Sequence, residues 1–498
     1  MTRSLGYLFI VLVTFCIACS SQSENTSLPI IDNIALSKSL LKVEVLAKDL
    51  NVPWDLAYAD DGYLWFTEQS GSISRAHLTT GQKTKVLTIK EVWSLRTTGL
   101  LGLAIHPDFK RNPYVFVNYT VKQDTTVYNK LVRYYFANDT LTQPKLLLTT
   151  VGYRAHNGSR LAISNNGKLL WATGDAYNGN NAQSLSSLNG KILRLNLDGS
   201  IPKDNPYPNS YVWARGFRNM QGLTVSDKGK VYTSEHGDAI EDEVNLIEKG
   251  GNYGWPFIEG MHNKPEELAF ADAHQTKEPL KSWTPVIAPS GISYYNSSLI
   301  PEWKNSLLLT TLKAKSFRVL SLNDDGTQIK AEEVFFENHY GRLRDVCSDA
   351  EGNIYISTSN HDWNPQPGFP LSGDDKILKI SPAKKPTHKP LTAVKVQKGN
   401  AAIDGAQLYN SYCASCHQTN GQGVKDVFPA LAGSKNVTGS TTTLIKMVQN
   451  GINSKSGQQM PSFSFLKDQE TAAILTYIRK SWNNKSSAIT PQQVKSNR

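Results

Sequence analysis

Cys413-Ala414-Ser415-Cys416-His417 brings two thiols and an imidazole together in one short run. This is the spacing by which a c-type haem is attached: each thiol adds across one haem vinyl group, and the adjacent histidine is held against the iron. A zinc site would want a second Cys or His pair, and none follows. Met460, in Gln-Gln-Met-Pro-Ser, stands where small cytochromes c supply a sixth iron ligand, with a packed core methionine as the alternative reading. A thioether opposite a histidine raises the iron potential, which suits an electron acceptor.

A second set of chemically capable residues is spread through the preceding sequence. His156 lies in Ala155-His156-Asn157-Gly158-Ser159-Arg160, and Arg218 in Gly216-Phe217-Arg218-Asn219-Met220-Gln221-Gly222. An acidic loop runs from Ser234 through Glu235-His236-Gly237-Asp238 to Asp242-Glu243, and Lys313, Arg342 and Arg344 follow. A lone histidine is more often a hydrogen-bonded structural residue than a base, and a lone arginine pair is usually a solvated edge. One histidine, four cations and an acidic loop, all at strand ends or in inter-strand loops, are harder to dismiss.

The elements that must position them are short strands. From 43 to 382 an apolar strand, a Gly or Asn turn and a second strand rich in β-branched and aromatic residues recur six times, beginning near Pro53, Leu101, Arg160, Gln221, Gly291 and Arg344. Six degenerate repeats of unequal length predict a mainly β fold, a six-bladed β-propeller whose long inserted loops build a site on one face. Residues 383–400, rich in Pro and Lys, read as a linker. Residues 401–484 read as a small all-α cytochrome c domain, with helices over Ile403–His417 and Asp468–Trp482 and Asp468 as a cap; 485–498 reads as a polar tail. Strand residue Cys347 is expected to be a small packed side chain.

Arg3 and the apolar run Leu5–Ile17 fit a signal peptide over 1–19, too short for a confident membrane span. Ala18-Cys19-Ser20 resembles a lipoprotein signal with Cys19 as the lipidated terminus, although Cys16 stands where an aliphatic residue is usual. Residues 20–42 read as a polar tether. The expectation is an exported protein, periplasmic or anchored to a bacterial outer membrane. No cysteine pair remains for a structural disulfide. The net charge of +10 comes with only 19% charged residues and no basic stripe, so a nucleic-acid partner is not expected.

Residues 43–382 resemble the PQQ-dependent soluble glucose dehydrogenase and aldose sugar dehydrogenase family, the glucose/sorbosone dehydrogenases. The resemblance is carried by Gly99-Leu100-Leu101-Gly102 with His106-Pro107-Asp108-Phe109, by Gly190–Pro202 (Gly-Lys-Ile-Leu-Arg-Leu-Asn-Leu-Asp-Gly-Ser-Ile-Pro), by Gly216–Gly222, and by Asp242-Glu243-Val244-Asn245 running to Gly250-Gly251-Asn252-Tyr253-Gly254-Trp255-Pro256. It implies that His156 is the general base, taking the anomeric hydroxyl proton of a sugar while hydride passes to the quinone. It implies that Lys313, Arg342 and Arg344 grip the carboxylates and quinone oxygens of PQQ, with Arg218, Asn219 and Gln221 as further contacts. It also implies one calcium on the carbonyls of Gly237 and Asp238, a second on Glu243 and the Tyr253 carbonyl, and Trp283 near the rim, able to stack on the ring.

Three positions depart from the family pattern. Ala155 replaces an acidic residue beside the base, Thr97 a glutamine near the sugar, and Asp238 a proline. The first two touch substrate hydrogen bonds, so glucose itself is not carried over as the substrate. The reading is a PQQ- and calcium-dependent sugar dehydrogenase, oxidising an aldose to its lactone and passing electrons to its own haem c on Cys413, Cys416, His417 and Met460. The haem then serves a cytochrome, a copper protein or a membrane oxidase. The alternatives are a propeller binding module with a redox tether, and a calcium-dependent lactonase.

Overall fold

A computed structural model of the protein describes residues 27–364, 366–394, 403–425, 427–453 and 459–498. The expected signal peptide, with Cys16 and Cys19, lies outside the described residues. Six antiparallel sheets follow one another along the chain. Five run inside to outside in sequence order, from Pro53–Ala59, Leu100–Ile105, Gly158–Ile163, Met220–Val225 and Pro289–Tyr295 as innermost strands. The sixth is built from Leu343–Ser348, Ile354–Thr358 and Ile377–Pro382, then completed by Leu40–Ala47 and Ile30–Ala35. The innermost strands of adjacent blades meet all the way round, closing the propeller.

The chain's ends therefore lock the ring: Leu41 pairs with Pro382 and Val45 with Leu378. The tether reading is corrected for 30–42, which are strand. The linker reading is corrected for its first part: Leu391 donates its N–H to the Asn33 carbonyl at 2.8 Å, and Val394 donates to Val334 at 2.7 Å.

Six apolar clusters hold the blades together, one between each pair of neighbours. Strand period two explains how one strand serves two of them. Leu64 and Phe66 point into the cluster shared with the sixth blade, while Trp65 points into the one shared with the second. Both faces are buried, so these strands are near-continuous apolar runs rather than alternating ones.

At the axis the third residues of the innermost strands are Asp55, Gly102, Arg160, Gly222, Gly291 and Asp345. The Arg160 guanidinium lies 3.1 Å from both the Asp55 and the Asp345 carboxylates. Asp55 also accepts from the Leu103 N–H at 3.0 Å, and Asp345 from the Leu56 N–H at 2.7 Å. A methyl group at Gly291 would run into the Asp345 carboxylate, and one at Gly102 or Gly222 would run into the carbonyl of Ser159 or Ser290 on the adjacent inner strand. Each innermost strand also carries a register irregularity near this level, which turns the residues ahead of it toward one face of the ring.

The C-terminal region is helical, with Gly405–Tyr412, Thr441–Asn450 and Asp468–Lys480 around a core of Tyr409, Ile445, Leu475 and Ile478. Gly405 is required there, because a side chain would collide with the Ala473 carbonyl where the first and last of these helices cross. The first helix breaks at Cys413 and resumes over Ala414–His417. Lys467, not Asp468, occupies the cap position of the long helix, and Asp468 pairs with Arg498 at 2.7 Å. The polar-tail reading of 485–498 is also corrected. Pro491–Lys495 is a helix whose Val494 is fully buried in the domain core. Among the described residues no helix is long and apolar enough to cross a membrane.

Replacing Arg160 by Leu would leave two buried carboxylates facing each other across the axis. The expected loss is about 3–5 kcal/mol of propeller stability, read as a lowered denaturation midpoint. An unchanged midpoint would show that the axial cluster is not what fixes the ring.

Candidate active site

In an antiparallel blade, the turn between the second and third strands opens on the same face as the connection to the next blade. His156, Arg218, Asn219 and Arg342 lie in inter-blade connections; Gly237, Asp238 and Lys313 lie in second-to-third-strand turns. Gln221 and Arg344 immediately precede the axial residues of their strands. One face of the propeller thus collects the residues expected to act there, except Glu243 and Tyr253, which stand just behind it, and Trp283.

His156, held at a positive φ of 54°, aims its imidazole at the mouth. Nδ1 is 2.9 Å from Asp175 Oδ1, and Trp255 Nε1 donates to the other oxygen of that carboxylate at 2.9 Å. With Nδ1–H donating to Asp175, Nε2 is left as an acceptor. Burial, and then the nearby Arg218 charge, hold the imidazole below its ordinary pKa, while Asp175 opposes them. The base is neutral at neutral pH. Tyr177 packs against it at 4.7 Å between ring centroids.

The cations come with their own counter-charges. Asp362, buried in the sixth blade's second-to-third-strand turn, takes Arg342 at 2.9 Å and Arg344 on the same oxygen. Arg344 also lies over the Trp54 ring at 3.9 Å, and burial lowers its pKa to about 10. Arg218 pairs with Asp238 at 2.6 Å and packs over Trp255. Asn219 Oδ1 accepts from Gln221 Nε2 at 3.0 Å, so these two side chains brace one another. Lys313 makes no ion pair among the described residues, and burial lowers its pKa. Buried and without partners in the same mouth are Arg218 Nε, Arg342 Nε and His236 Nε2. Clustered cations with spare N–H groups fit a flat ligand carrying several carboxylates.

The acidic loop behind them is tightly organised. Asp242 accepts from the Gly237 N–H at 2.9 Å, which turns the Gly237 and Asp238 peptides. Burial pushes Glu243 up to about 7, Glu259 up to about 8 and Glu235 well above the usual carboxylate range. Among the described residues no three acidic, imidazole or thiol side chains form a group able to hold a metal. A calcium here would therefore lean on backbone carbonyls such as those of Gly237, Asp238 and Tyr253, as a hard cation can.

Trp283 is not at the mouth. It lies on the outermost strand of the fourth blade, opposite Asp242, and its Nε1 donates to Glu332 at 3.2 Å. Trp255 and Trp54 take the aromatic positions instead. Sequence reading also missed Asp175 and Asp362, whose signal was an acidic residue in the second-to-third-strand turn of the third and sixth blades, as at Asp238 in the fourth. Thr97 Oγ1 donates to the Arg154 carbonyl at 3.1 Å, so two of the three departures, Thr97 and Ala155, lie close together beside His156.

In the helical domain, His417 Nδ1 bonds the Pro429 carbonyl at 2.9 Å, which leaves Nε2 for an axial bond. Cys413 and Cys416 are free thiols one helical turn apart, joined by the Cys416 and His417 N–H bonds to the Cys413 carbonyl. Burial pushes the Cys413 thiol up to about 12. Met460 ends a two-strand hairpin and packs with Phe463, Leu466, Ile474 and Cys413. These groups fit a covalently held haem. Lys313 is near enough to both thiols to lower their pKa values. Cys347, by contrast, packs against the cluster between the sixth and first blades.

Comparison with known proteins agrees with this geometry. Residues 50–364 match the family model described as glucose/sorbosone dehydrogenase, and residues 400–478 match cytochrome C oxidase, cbb3-type, subunit III. Quinoprotein glucose dehydrogenase B of Acinetobacter calcoaceticus is 32% identical over 407 residues, covering 63% of this chain and 84% of its own. The PQQ-bound aldose sugar dehydrogenase of Streptomyces coelicolor superposes with a TM-score of 0.61 at 31% identity, covering 69% of this chain and 98% of its own. The C-terminal region is 37% identical over 125 residues to the cytochrome c subunit of a quinone alcohol dehydrogenase from Gluconacetobacter polyoxogenes, covering 22% of this chain and 27% of its own.

The His156 imidazole is expected to titrate below the ordinary histidine value of 6.5. Asp175→Asn removes the carboxylate that holds the proton on, so the midpoint should move lower still. Histidine-selective NMR against pH checks both; a midpoint that rises in the variant would mean that Asp175 does not face the ring.

Proposed function

The chain belongs to the glucose/sorbosone dehydrogenase family and carries a cytochrome c domain, and from that premise we propose a specific division of labour among its residues. As an oxidoreductase of CH–OH groups on sugars, it oxidises an aldose at the anomeric carbon to the lactone, with PQQ as immediate acceptor and its own haem c as the next. The observation that carries this reading is the buried His156–Asp175 pair, whose Nε2 is left free, beside the unpartnered Nε–H groups of Arg218 and Arg342.

His156 Nε2 takes the proton of the anomeric hydroxyl, and Asp175 keeps the ring in the tautomer that can accept it and stabilises the imidazolium that results. Lys313, Arg342 and Arg344 hold the cofactor's carboxylates and quinone oxygens, with Arg218, Asn219 and Gln221 alongside. Asp362 fixes the two arginines in advance, so their orientation costs nothing when the cofactor binds. PQQ, when bound, supplies the two-electron acceptor. The carbonyls of Gly237 and Asp238 would hold a calcium, and Glu243 with the Tyr253 carbonyl would hold a second, structural one.

Cys413 and Cys416 would hold the haem covalently, and His417 and Met460 would bind its iron. The haem, when attached, supplies a one-electron carrier to an external cytochrome, copper protein or membrane oxidase. An exported lipoprotein, anchored through Cys19 in the periplasm or at the outer membrane, would place that carrier beside such acceptors.

The test is the haem spectrum of haem-loaded protein given PQQ, calcium and a panel of aldoses. Prompt haem reduction by a sugar is expected, falling by about 10²–10⁴ in His156→Ala, the usual worth of a general base. Failure of PQQ to bind, or turnover of a lactone without it, would overturn the assignment. Met460→His is expected to lower the haem potential while the haem stays attached. An unchanged potential would make Met460 a core residue only.

A further inference from the structure

The contacts that join the cytochrome domain to the propeller come from one side of the mouth. Asn364, in the sixth blade, donates to the Ser415 carbonyl at 2.8 Å and accepts from Gln418 Nε2 at 2.7 Å. Its neighbour Trp363 packs on Phe428 with ring centroids 6.1 Å apart. Ala239, from the fourth blade, enters the apolar cluster that contains Cys413, Met460 and Phe463. Lys313, in the second-to-third-strand turn of the fifth blade, lies on the same face of the propeller.

The other side is open. Leu95, Tyr153 and Leu185, on the connections and turns of the first three blades, are 46%, 40% and 44% exposed. The His156 side chain keeps 13% of its surface accessible with the cytochrome domain in place. The docked domain thus leaves His156 in contact with solvent.

The tether enforces the same asymmetry. Val394 is hydrogen-bonded to Val334 on the outermost strand of the fifth blade. The connection through residues 395–402 can span at most about 30 Å even when fully extended, so the domain stays near the blades it touches. Such a tether makes a weak interface sufficient, because the local concentration is in the millimolar range. Among the described residues no ion pair crosses this interface, so docking should be insensitive to salt.

We propose, resting on the function above, that the docked posture is the working posture. The cytochrome domain stays seated on the fourth to sixth blades throughout turnover and takes electrons there. The sugar enters and the lactone leaves over the first to third blades, with no undocking in the cycle.

The test locks the domains. Asn364→Cys with Gln418→Cys, in full-length protein loaded with haem, PQQ and calcium, is bridged by a two-carbon bis-methanethiosulfonate, which reductant removes. The bridge is expected to form in high yield. An aldose that reduces the haem of the unbridged protein should do so within about twofold when bridged, since an already docked domain gains no local concentration from the bridge. Loss of that reduction on bridging, restored by reductant, would show that the sugar needs the domain to lift. Failure of the bridge to form would show that the posture is not populated.

In Trp363→Ala with Asn364→Ala, the KM for the sugar measured with an artificial dye should hold, while haem reduction slows about tenfold or more. An unchanged haem rate would overturn the proposal. A haem that stays oxidised in the unmutated, unbridged protein while the dye is reduced would instead remove the internal transfer itself.

Discussion

The charge cluster at the propeller axis is the constraint from which the site follows. Arg160 reaches Asp55 and Asp345 across the ring, and Gly291 leaves the space that the Asp345 carboxylate takes at that level. Arg160 also donates through Nε to the Gln221 carbonyl at 2.7 Å and through Nη2 to the Arg344 carbonyl at 3.3 Å. Those carbonyls belong to two residues of the mouth. His156 and Arg218 each stand four residues ahead of their blade's axial residue, and Asn219 and Arg342 each stand three ahead. A common depth at the axis therefore becomes a common height at the mouth. An error of one residue in any blade would turn its site residue toward the neighbouring sheet.

Above the axis, His156 and three of the four cations each pair with an acid drawn from a second-to-third-strand turn; Asp175 and Asp362 are buried, Asp238 is exposed, and Lys313 has no such partner among the described residues. Asp175 serves His156, Asp238 serves Arg218, and Asp362 serves Arg342 and Arg344 together. Burying a charge alone is expensive, and one carboxylate shared by two guanidiniums leaves a net positive charge for a ligand to meet. The arrangement holds the mouth's shape without neutralising it.

Much of this was legible in the sequence because it is local. The six strand–turn–strand repeats, His156, the cations and the haem-attachment run are each visible within a few residues. What was missed depends on distant partners. Residues 30–42 read as a tether because the strand that Leu40–Ala47 joins lies beyond residue 376, and the helix over Pro491–Lys495 read as a tail because the core it caps is built from earlier helices. Trp283 and Trp255 could be distinguished only by knowing which strand of the fourth blade is outermost. The axial pattern of Asp, Gly, Arg, Gly, Gly, Asp has no meaning until six strands are placed in register.

Closing the ring with the two ends of the propeller sequence also sets an order of assembly. The strands Ile30–Ala35 and Leu40–Ala47 are made first and pair with each other, but the second edge of Leu40–Ala47 has no partner until Ile377–Pro382 has been synthesised and stands open for almost the whole length of the propeller. Leu391 then lies against Asn33 on the outermost strand, and that strand is in place only once the ring has closed. The seam thus works as a checkpoint in biogenesis: the cytochrome segment is delivered to its seat by a completed propeller, and a chain cut short of residue 382 would have neither.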